Sequence, residues 1–297
     1  NQLLLNTDKV KPLTERIDGQ GTVYFHEFLD RYEEILKTRG LREKTLKDYR
    51  QRIGVIRKGF LDAPIQNITT KNIADFLQLS INEERITTAK LMRSLLNDCF
   101  KEAISLGLIQ INPVISTKTP KIKIQRARLS LDDFNTILGL INNDHHWLTL
   151  AMKLALVTGQ RVSDVSKIKY KDIHDGKLWI VQQKTGAKIA IPLDIKLYGI
   201  KLSETVADCK TNSEFVINNN GNKITGERIS KEFRRFRDIS QLKWKGEPPS
   251  FHEIRSLSAR LYTEKMGSGF AQKLLGHKSA AMTAKYQDDR NNSWIEL

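Results

Sequence analysis

Residues Ser116–Ser130 read STKTPKIKIQRARLS, a basic stretch preceded by Pro113, interrupted by Pro120 and almost without apolar pattern. A hydrophobic core does not continue through such a segment, so it divides the chain in two. Its composition marks an interdomain linker, and one able to lie along a polyanion. With 297 residues the chain has material for a domain on each side, each large enough to bury its own core. The expected organisation is a polar coupler over residues 1–20, broken by Pro12, Gly19 and Gly21, and a helical domain over 21–115. The linker then covers 116–128 and a second domain 129–297.

The first half has helical periodicity. Phe25, Phe28, Leu29, Tyr32, Ile35 and Leu36 recur at steps of three and four, and Gly40 stands where a C-terminal cap belongs. A second helix follows, with Leu46, Tyr49, Ile53 and Ile56 inward. Lys44, Lys47, Arg50, Arg52, Arg57 and Lys58 lie on its outer face. Thr69 or Thr70 caps a short third helix, and a longer fourth one closes near Gly107. Four helices in about a hundred residues make a small all-α domain.

The charge is the strongest compositional fact: a formal net charge of +15 and an isoelectric point near 9.7. Such an excess favours a polyanionic partner, because each neutralised phosphate releases counterions. A single surface lysine is ordinarily just solvated. As a set, the basic face of the second helix reads as a DNA-facing surface, with Lys44, Lys90 and Arg93 as candidate contacts. No apolar run approaches the ~18 residues of a membrane-spanning helix, and Leu3–Leu5 is too short for a signal-peptide core. Cys99 and Cys209 are too few and too isolated for a disulfide framework or a zinc site, which favours a reducing, intracellular setting. The start at Asn1 rather than methionine reads as a fragment with residues missing upstream.

In the second half, Leu131–Leu140 and His146–Val157 are expected helices, the latter ending at Thr158-Gly159. Arg161 follows at a helix-to-helix junction, with Ser163 as a candidate cap. A guanidinium offers a planar fork suited to two non-bridging phosphate oxygens, and Asp164 is placed to hold that fork. A structural Arg–Asp pair at a turn is the commoner meaning of this spacing. KLWIVQQKTGAKIAIPL alternates on both sides of Lys184-Thr185-Gly186-Ala187, a hairpin with glycine in its turn. Lys184 projects from the tip, either solvated or able to reach a site as proton donor or phosphate ligand. EFVIN gives a strand signal, an Asn/Gly turn follows, and Ser230–Gln241 reads as a basic helix.

The C-terminal stretch concentrates the chemistry. Pro248-Pro249 places Ser250 as N-cap, with Glu253 completing a capping box. His252 and Arg255 then share a face of the first turns, where free N–H groups also favour an anion. Ile254, Leu257 and Leu261 bury the other side, and Arg260 reads as structural. Leu274-Leu275-Gly276-His277-Lys278-Ser279 ends one helix at Gly276 and restarts at Ser279. Tyr286 lies on the following short helix, where Ala281 and Met282 are placed to pack. A tyrosine there is most often a core edge. As a nucleophile, its phenol near pKa 10 needs cations or a base to lower the cost of the phenolate.

Arg161, Lys184, the HxxR of His252 and Arg255, the LLGH ending in His277, and Tyr286 together resemble the tyrosine recombinase (phage integrase) family. The wording TGQRVSD, KTGAKIAIP, FHEIRSLSARLY and LLGHKS is similar to that of its lambdoid members, and the similarity runs from about Lys11 onward. One such motif is weak; six positions in family order at family-like spacing are strong. The resemblance implies a mainly α protein with a small β component: an all-α core-binding domain joined by the basic linker to an α+β catalytic domain, the two forming a C-shaped clamp on DNA. It also implies roles. Tyr286 attacks the scissile phosphate, Arg161, Arg255 and His277 hold it, Lys184 protonates the leaving 5′-oxygen, His252 assists at the tyrosine, and Asp164 supports Arg161. No carboxylate cluster for a two-metal site and no P-loop is visible, so neither Mg²⁺ nor ATP is expected.

The family's small N-terminal arm-binding domain is not seen. The implied partners are double-stranded DNA at attachment-site core sequences, a homotetramer on two duplexes, a host DNA-bending protein and a phage excisionase. The tetramer would use NNSWIEL as a tail, with Trp294 and Ile295 as anchors. The implied setting is the host bacterial cytoplasm, at the nucleoid. The competing readings are a type IB topoisomerase, which would religate the same strand, and a non-catalytic DNA-binding regulator. The separate helical module argues against the first; Tyr286 and Lys184, which binding alone does not need, argue against the second.

Overall fold

The computed structural model describes residues 21–121, 126–209 and 213–287. The expected coupler over 1–20 and the tail anchors Trp294 and Ile295 fall outside them. The chain divides into two compact units, Asn1–Lys123 and Ile124–Leu297.

The first unit is built from α1 (Phe25–Thr38), α2 (Glu43–Gly59), α3 (Thr70–Asn82) and α4 (Ile86–Ser105). In α1 the three-and-four spacing buries Phe25, Phe28, Leu29, Tyr32 and Leu36 on one face. Each such side chain contributes about 1.5–3 kcal/mol by leaving water. In α2 only Ile53 and Ile56 are fully buried, while Leu46 and Tyr49 pack partly against the core. Thr69 is the N-cap of α3, accepting from the Asn72 N–H while the Asn72 side chain accepts from the Thr69 N–H. Such a cap stabilises by about 1 kcal/mol. α4 is the core helix, and its Phe100 stacks on Phe25 at 5.4 Å.

Both ends of the basic stretch read as linker are docked rather than free. Val114 and Thr117 are buried, and Arg93 of α4 reaches them: Nε donates to Thr117 Oγ1 at 2.9 Å and Nη2 to the carbonyls of Val114 and Thr117. At the other end the Ala127 N–H donates to the Glu247 carbonyl at 2.8 Å. Arg128 forms a buried ion pair with Glu253 at 2.9 Å. The basic side chains were legible in sequence; their buried acceptors were not.

The second unit begins with α5 (Leu131–Gly139), closed by a Ser130–Asp133 capping box. α6 (His146–Thr158) is buried on nearly every side, and α7 (Val162–Val165) is a single turn. A three-stranded antiparallel sheet follows: β1 (Ile173–His174), β2 (Lys177–Val181) and β3 (Lys188–Pro192), in that order. Leu178 pairs with Ile191 and Ile180 with Ile189, so period-two alternation buries Leu178 and Ile180 while Trp179 and Val181 face outward. β4 (Lys196–Leu197), β5 (Ile200–Lys201) and α8 (Leu202–Ala207) come next.

EFVIN does not form the expected strand. Phe215 makes an isolated bridge to Lys169 and the Val216 N–H donates to the Ile168 carbonyl. Regular pairing begins only at β6 (Asn218–Asn219) with β7 (Asn222–Lys223). The basic helix, α9 (Gly226–Ile239), starts a turn before Ser230 because the Thr225 hydroxyl accepts from the Arg228 N–H. α10 (Glu253–Met266), α11 (Ser268–Leu275) and α12 (Ala280–Gln287) complete the unit. α10 packs against α6, α11 and α12. Its Ile254, Leu257, Leu261 and Tyr262 join the core of α6, the sheet and α9.

Candidate active site

The site is assembled where α6, the β2–β3 hairpin, α10 and the α11–α12 turn converge. α6 terminates at Gly159, a left-handed C-cap with φ 64°. A side chain there would press on Ser258 and Leu275, so glycine lets the backbone pass close to α10. Two residues on, Arg161 is the N-cap of α7 and half-exposed. Ser163 lies inside that turn, where no side-chain cap forms, correcting its expected role.

Arg161 is held by Gln182, not by Asp164. Its Nη1 donates to Gln182 Oε1 at 3.0 Å. Asp164 instead accepts from the Gln183 N–H at 2.8 Å, and its other oxygen has no partner among the described residues. The buried carboxylate is drawn to the exposed end of β2, whose N–H has no strand partner there, so Asp164 anchors the hairpin rather than the guanidinium. Beyond Gln183 the loop carries Lys184, exposed as expected. The loop closes by Gln182 N–H to Ala187 carbonyl and Gly186 N–H to Gln182 carbonyl, both 2.8 Å.

The start of α10 also differs from the expected capping box. His252, in helical conformation, is the N-cap and makes no side-chain cap. Glu253 is 4% exposed, and its carboxylate turns to Arg128: a buried acid takes the nearest buried cation over a lone N–H. Arg255 is 1% exposed. Its Nη1 donates to the Gly159 carbonyl at 2.6 Å, and its Nη2 donates to the Leu275 carbonyl at 2.7 Å and to His277 Nε2 at 3.1 Å. Arg260 is structural as expected, donating to the Leu129 carbonyl at 2.6 Å.

Gly276 ends α11 in the left-handed conformation, φ 63°, directly under the hairpin, where a Cβ would meet Ile189, Ala187 and the Gln182 amide. That turn delivers His277, whose Nδ1 lies 3.0 Å from Thr283 Oγ1. Because Nε2 accepts from Arg255, Nδ1 carries the proton and donates to Thr283. Tyr286 on α12 has its hydroxyl 3.1 Å from His252 Nε2. Its ring meets His252 edge-on at 5.6 Å and His277 at 5.1 Å, with the Arg255 guanidinium 5.4 Å from its centroid. Ala281 and Met282, expected to pack, are exposed, whereas Thr283 is buried.

The electrostatics favour an anion here. Burial, then Arg255, push the His252 imidazole down to about 4, with Arg161 and Lys184 adding to the effect and Glu253 opposing it. His252 is nonetheless exposed on one side, so the neighbouring Arg255 is the firmer of the two causes. Burial, then Arg255 and Arg161, bring His277 to about 4 as well. Burial, then Arg161, hold the Arg255 cation below its usual range, against the pull of Tyr286 and Asp164. Both imidazoles are therefore neutral at pH 7, and three cations, Arg161, Lys184 and Arg255, repel one another beside a phenol. An incoming anion relieves that repulsion.

The comparisons fit this geometry. Residues 127–293 match the model of the phage integrase family, and residues 29–107 match its N-terminal SAM-like domain. The chain belongs to the phage integrase family. Among curated relatives, the integrases of Enterobacteria phage 434 and Escherichia phage lambda are each 45% identical, covering 99% of this chain and 84% of theirs. A lambda integrase dimer bound to a COC′ core site superposes with TM-score 0.89 at 45% identity, over 93% of this chain and 99% of that one. A lambda integrase tetramer bound to a Holliday junction gives 0.90 at 44% identity, over 97% and 84%. As a phage integrase this chain is a site-specific DNA recombinase, an enzyme that cleaves and joins strands.

The structure thus brings Arg161, Lys184, His252, Arg255, His277 and Tyr286 to one place, with Asp164 behind the hairpin. Lys44 and Lys90 are exposed on the first unit, whereas the Arg93 guanidinium is engaged with Val114 and Thr117. Gln182, Gln160, Thr283 and Gln287 were missed. Polar side chains without charge carry no periodic signal, and their partners lie far away in sequence.

Proposed function

We propose that Tyr286 is the nucleophile of the recombination reaction. Its oxygen attacks the scissile phosphorus while the bond to the 5′-oxygen breaks, leaving a 3′-phosphotyrosyl link and a free 5′-hydroxyl. The neutral His252 Nε2, 3.1 Å away, takes the tyrosine proton, and the Lys184 ammonium supplies one to the 5′-oxygen. Arg161 and Arg255 neutralise the non-bridging oxygens. His277 donates to the same phosphate once the arriving negative charge raises its proton affinity and draws Arg255 away from Nε2. Asp164 acts through the hairpin, fixing the strand from which the Lys184 loop departs. Attack by another strand's 5′-hydroxyl reverses each transfer, and the link conserves the bond energy, so rejoining needs no ATP.

The observation that carries this reading is the Tyr286 hydroxyl lying 3.1 Å from a neutral imidazole among the cations Arg161, Lys184 and Arg255. Those cations can do the work of metal ions, so cleavage is expected without Mg²⁺. Lys44, Lys90 and the remaining donor edge of Arg93 would contact the backbone of attachment-site core DNA. Like the lambda relative on a Holliday junction, the chain would act as a tetramer on two duplexes, at the host nucleoid. A host DNA-bending protein and an excisionase would set the direction between integration and excision. The test incubates the protein with nicked suicide substrates carrying core sites, in EDTA. A covalent adduct that is lost in Tyr286→Phe supports the mechanism; an adduct that survives the substitution, or none on cognate DNA, refutes it.

A further inference from the structure

Gln182, at the end of β2, is 1% exposed, and its amide uses all four of its hydrogen-bonding positions. Oε1 accepts from Arg161 Nη1 at 3.0 Å and from Thr185 Oγ1 at 2.7 Å. Nε2 donates to Gln160 Oε1 at 2.7 Å and to the Leu275 carbonyl at 3.0 Å. These partners come from the α6–α7 junction, the Lys184 loop and the C-terminus of α11. The Leu275 carbonyl also accepts from Arg255 Nη2. One amide therefore touches the elements that carry Arg161 and Lys184, and it shares the Leu275 carbonyl with Arg255.

Its orientation has a single solution. With O and N exchanged, N–H groups would face the Arg161 donor and the oxygen would face two acceptors. Gln160 is locked in turn, its Nε2 donating to the carbonyls of Thr158 and Leu274 at 2.9 Å. Gln182 thus occupies one hydrogen of the Arg161 fork from behind. Through Thr185 it also restrains the otherwise exposed loop one residue from Lys184.

We propose that Gln182 is a positioning residue for strand cleavage, aiming Arg161 at a non-bridging oxygen and holding the Lys184 loop on the leaving-group side. It couples anion binding to proton donation through one side chain. The inference rests on the recombinase reading of the site.

Gln182→Met keeps the volume roughly and removes both polar atoms. Single-turnover cleavage is measured on three nicked substrates. One is all-oxygen. One carries a scissile methylphosphonate, which lacks the charge Arg161 meets. One has a bridging 5′-sulfur, which leaves as a thiolate without a proton from Lys184. On the all-oxygen substrate the rate is expected to fall about 10- to 100-fold, the range for losing a hydrogen bond to a charged group, with core-site affinity unchanged. The defect shrinks several-fold on each modified substrate, and in an Arg161→Ala background Gln182→Met adds no more than the roughly threefold loop half. Thr185→Val removes only the loop half: about a threefold defect is expected, erased by 5′-sulfur and retained on methylphosphonate.

Equal defects on all three substrates, additivity with Arg161→Ala, or a Gln182→Met rate equal to wild type would each overturn the proposal. If Gln182→Met does not fold, the Thr185→Val pattern decides alone. Failure of wild type itself to form the adduct would instead overturn the recombinase reading, so the two failures are distinguishable.

Discussion

Replacing Gln287 with alanine is expected to release the nucleophile helix without loosening the rest of the second unit. α12 has little apolar anchorage: Ala280, Ala281, Met282 and Ala284 are exposed, and among its described side chains only Thr283 is buried. Polar contacts do the holding, namely Tyr286 to His252, Thr283 to His277, and Gln287. The last spans two helices, its Nε2 donating to Thr263 Oγ1 of α10 at 2.7 Å and to Ser268 Oγ of α11 at 3.0 Å. Each such bond nets about 0.5–1.5 kcal/mol, the exposed one at the lower end. Losing both costs about 1–2 kcal/mol, a factor of roughly 5–30 in the docking equilibrium. Hydrogen exchange of the DNA-free protein should then speed by about that factor within 280–287, with protection of α6 and α10 and the thermal midpoint unchanged. Suicide-substrate cleavage should slow by no more than the same factor. Unchanged exchange in α12 would show that other contacts hold the helix; faster exchange throughout α10 and α11 would show that Gln287 supports the fold rather than the latch. Either result refutes the reasoning.

Other expectations follow from the same contacts. His252 and His277 have native pKa values pushed down to about 4 from the ordinary 6.5. Between those values the unfolded chain binds more protons, so stability falls as pH drops from about 6.5 to 4; urea midpoints of His252→Asn and His277→Asn should fall less steeply there than wild type. Arg128→Ala leaves Glu253 charged and buried, and should destabilise the catalytic unit by about 3–5 kcal/mol in chemical denaturation, whereas a change below 1 kcal/mol would mean that water reaches the carboxylate. Lys44→Ala with Lys90→Ala should reduce the salt slope of core-DNA binding by about 2 if both meet phosphates; an unchanged slope would remove them from the interface.

Much of the protein was legible in its sequence, where the signal is local. The burial of α1 follows from apolar residues at steps of three and four, and the Thr69 cap from a hydroxyl just ahead of a helix. The hairpin follows from alternation around Lys184-Thr185-Gly186, and the break before Tyr286 from Gly276. The six chemically distinctive side chains stood out because arginine, lysine, histidine and tyrosine at that order and spacing match a family. Tertiary structure decided what those residues touch. It gave Arg161 to Gln182 and Asp164 to the Gln183 N–H, because a buried polar atom takes whichever partner the fold delivers. It replaced the Ser250–Glu253 capping box with a buried pair from Glu253 to Arg128, 125 residues away. It buried Thr283 rather than Met282 on α12, and aimed His277 by setting Gly276 under the hairpin. Periodicity reports which face of an element is buried; only packing across distant segments fixes the partner of each polar group.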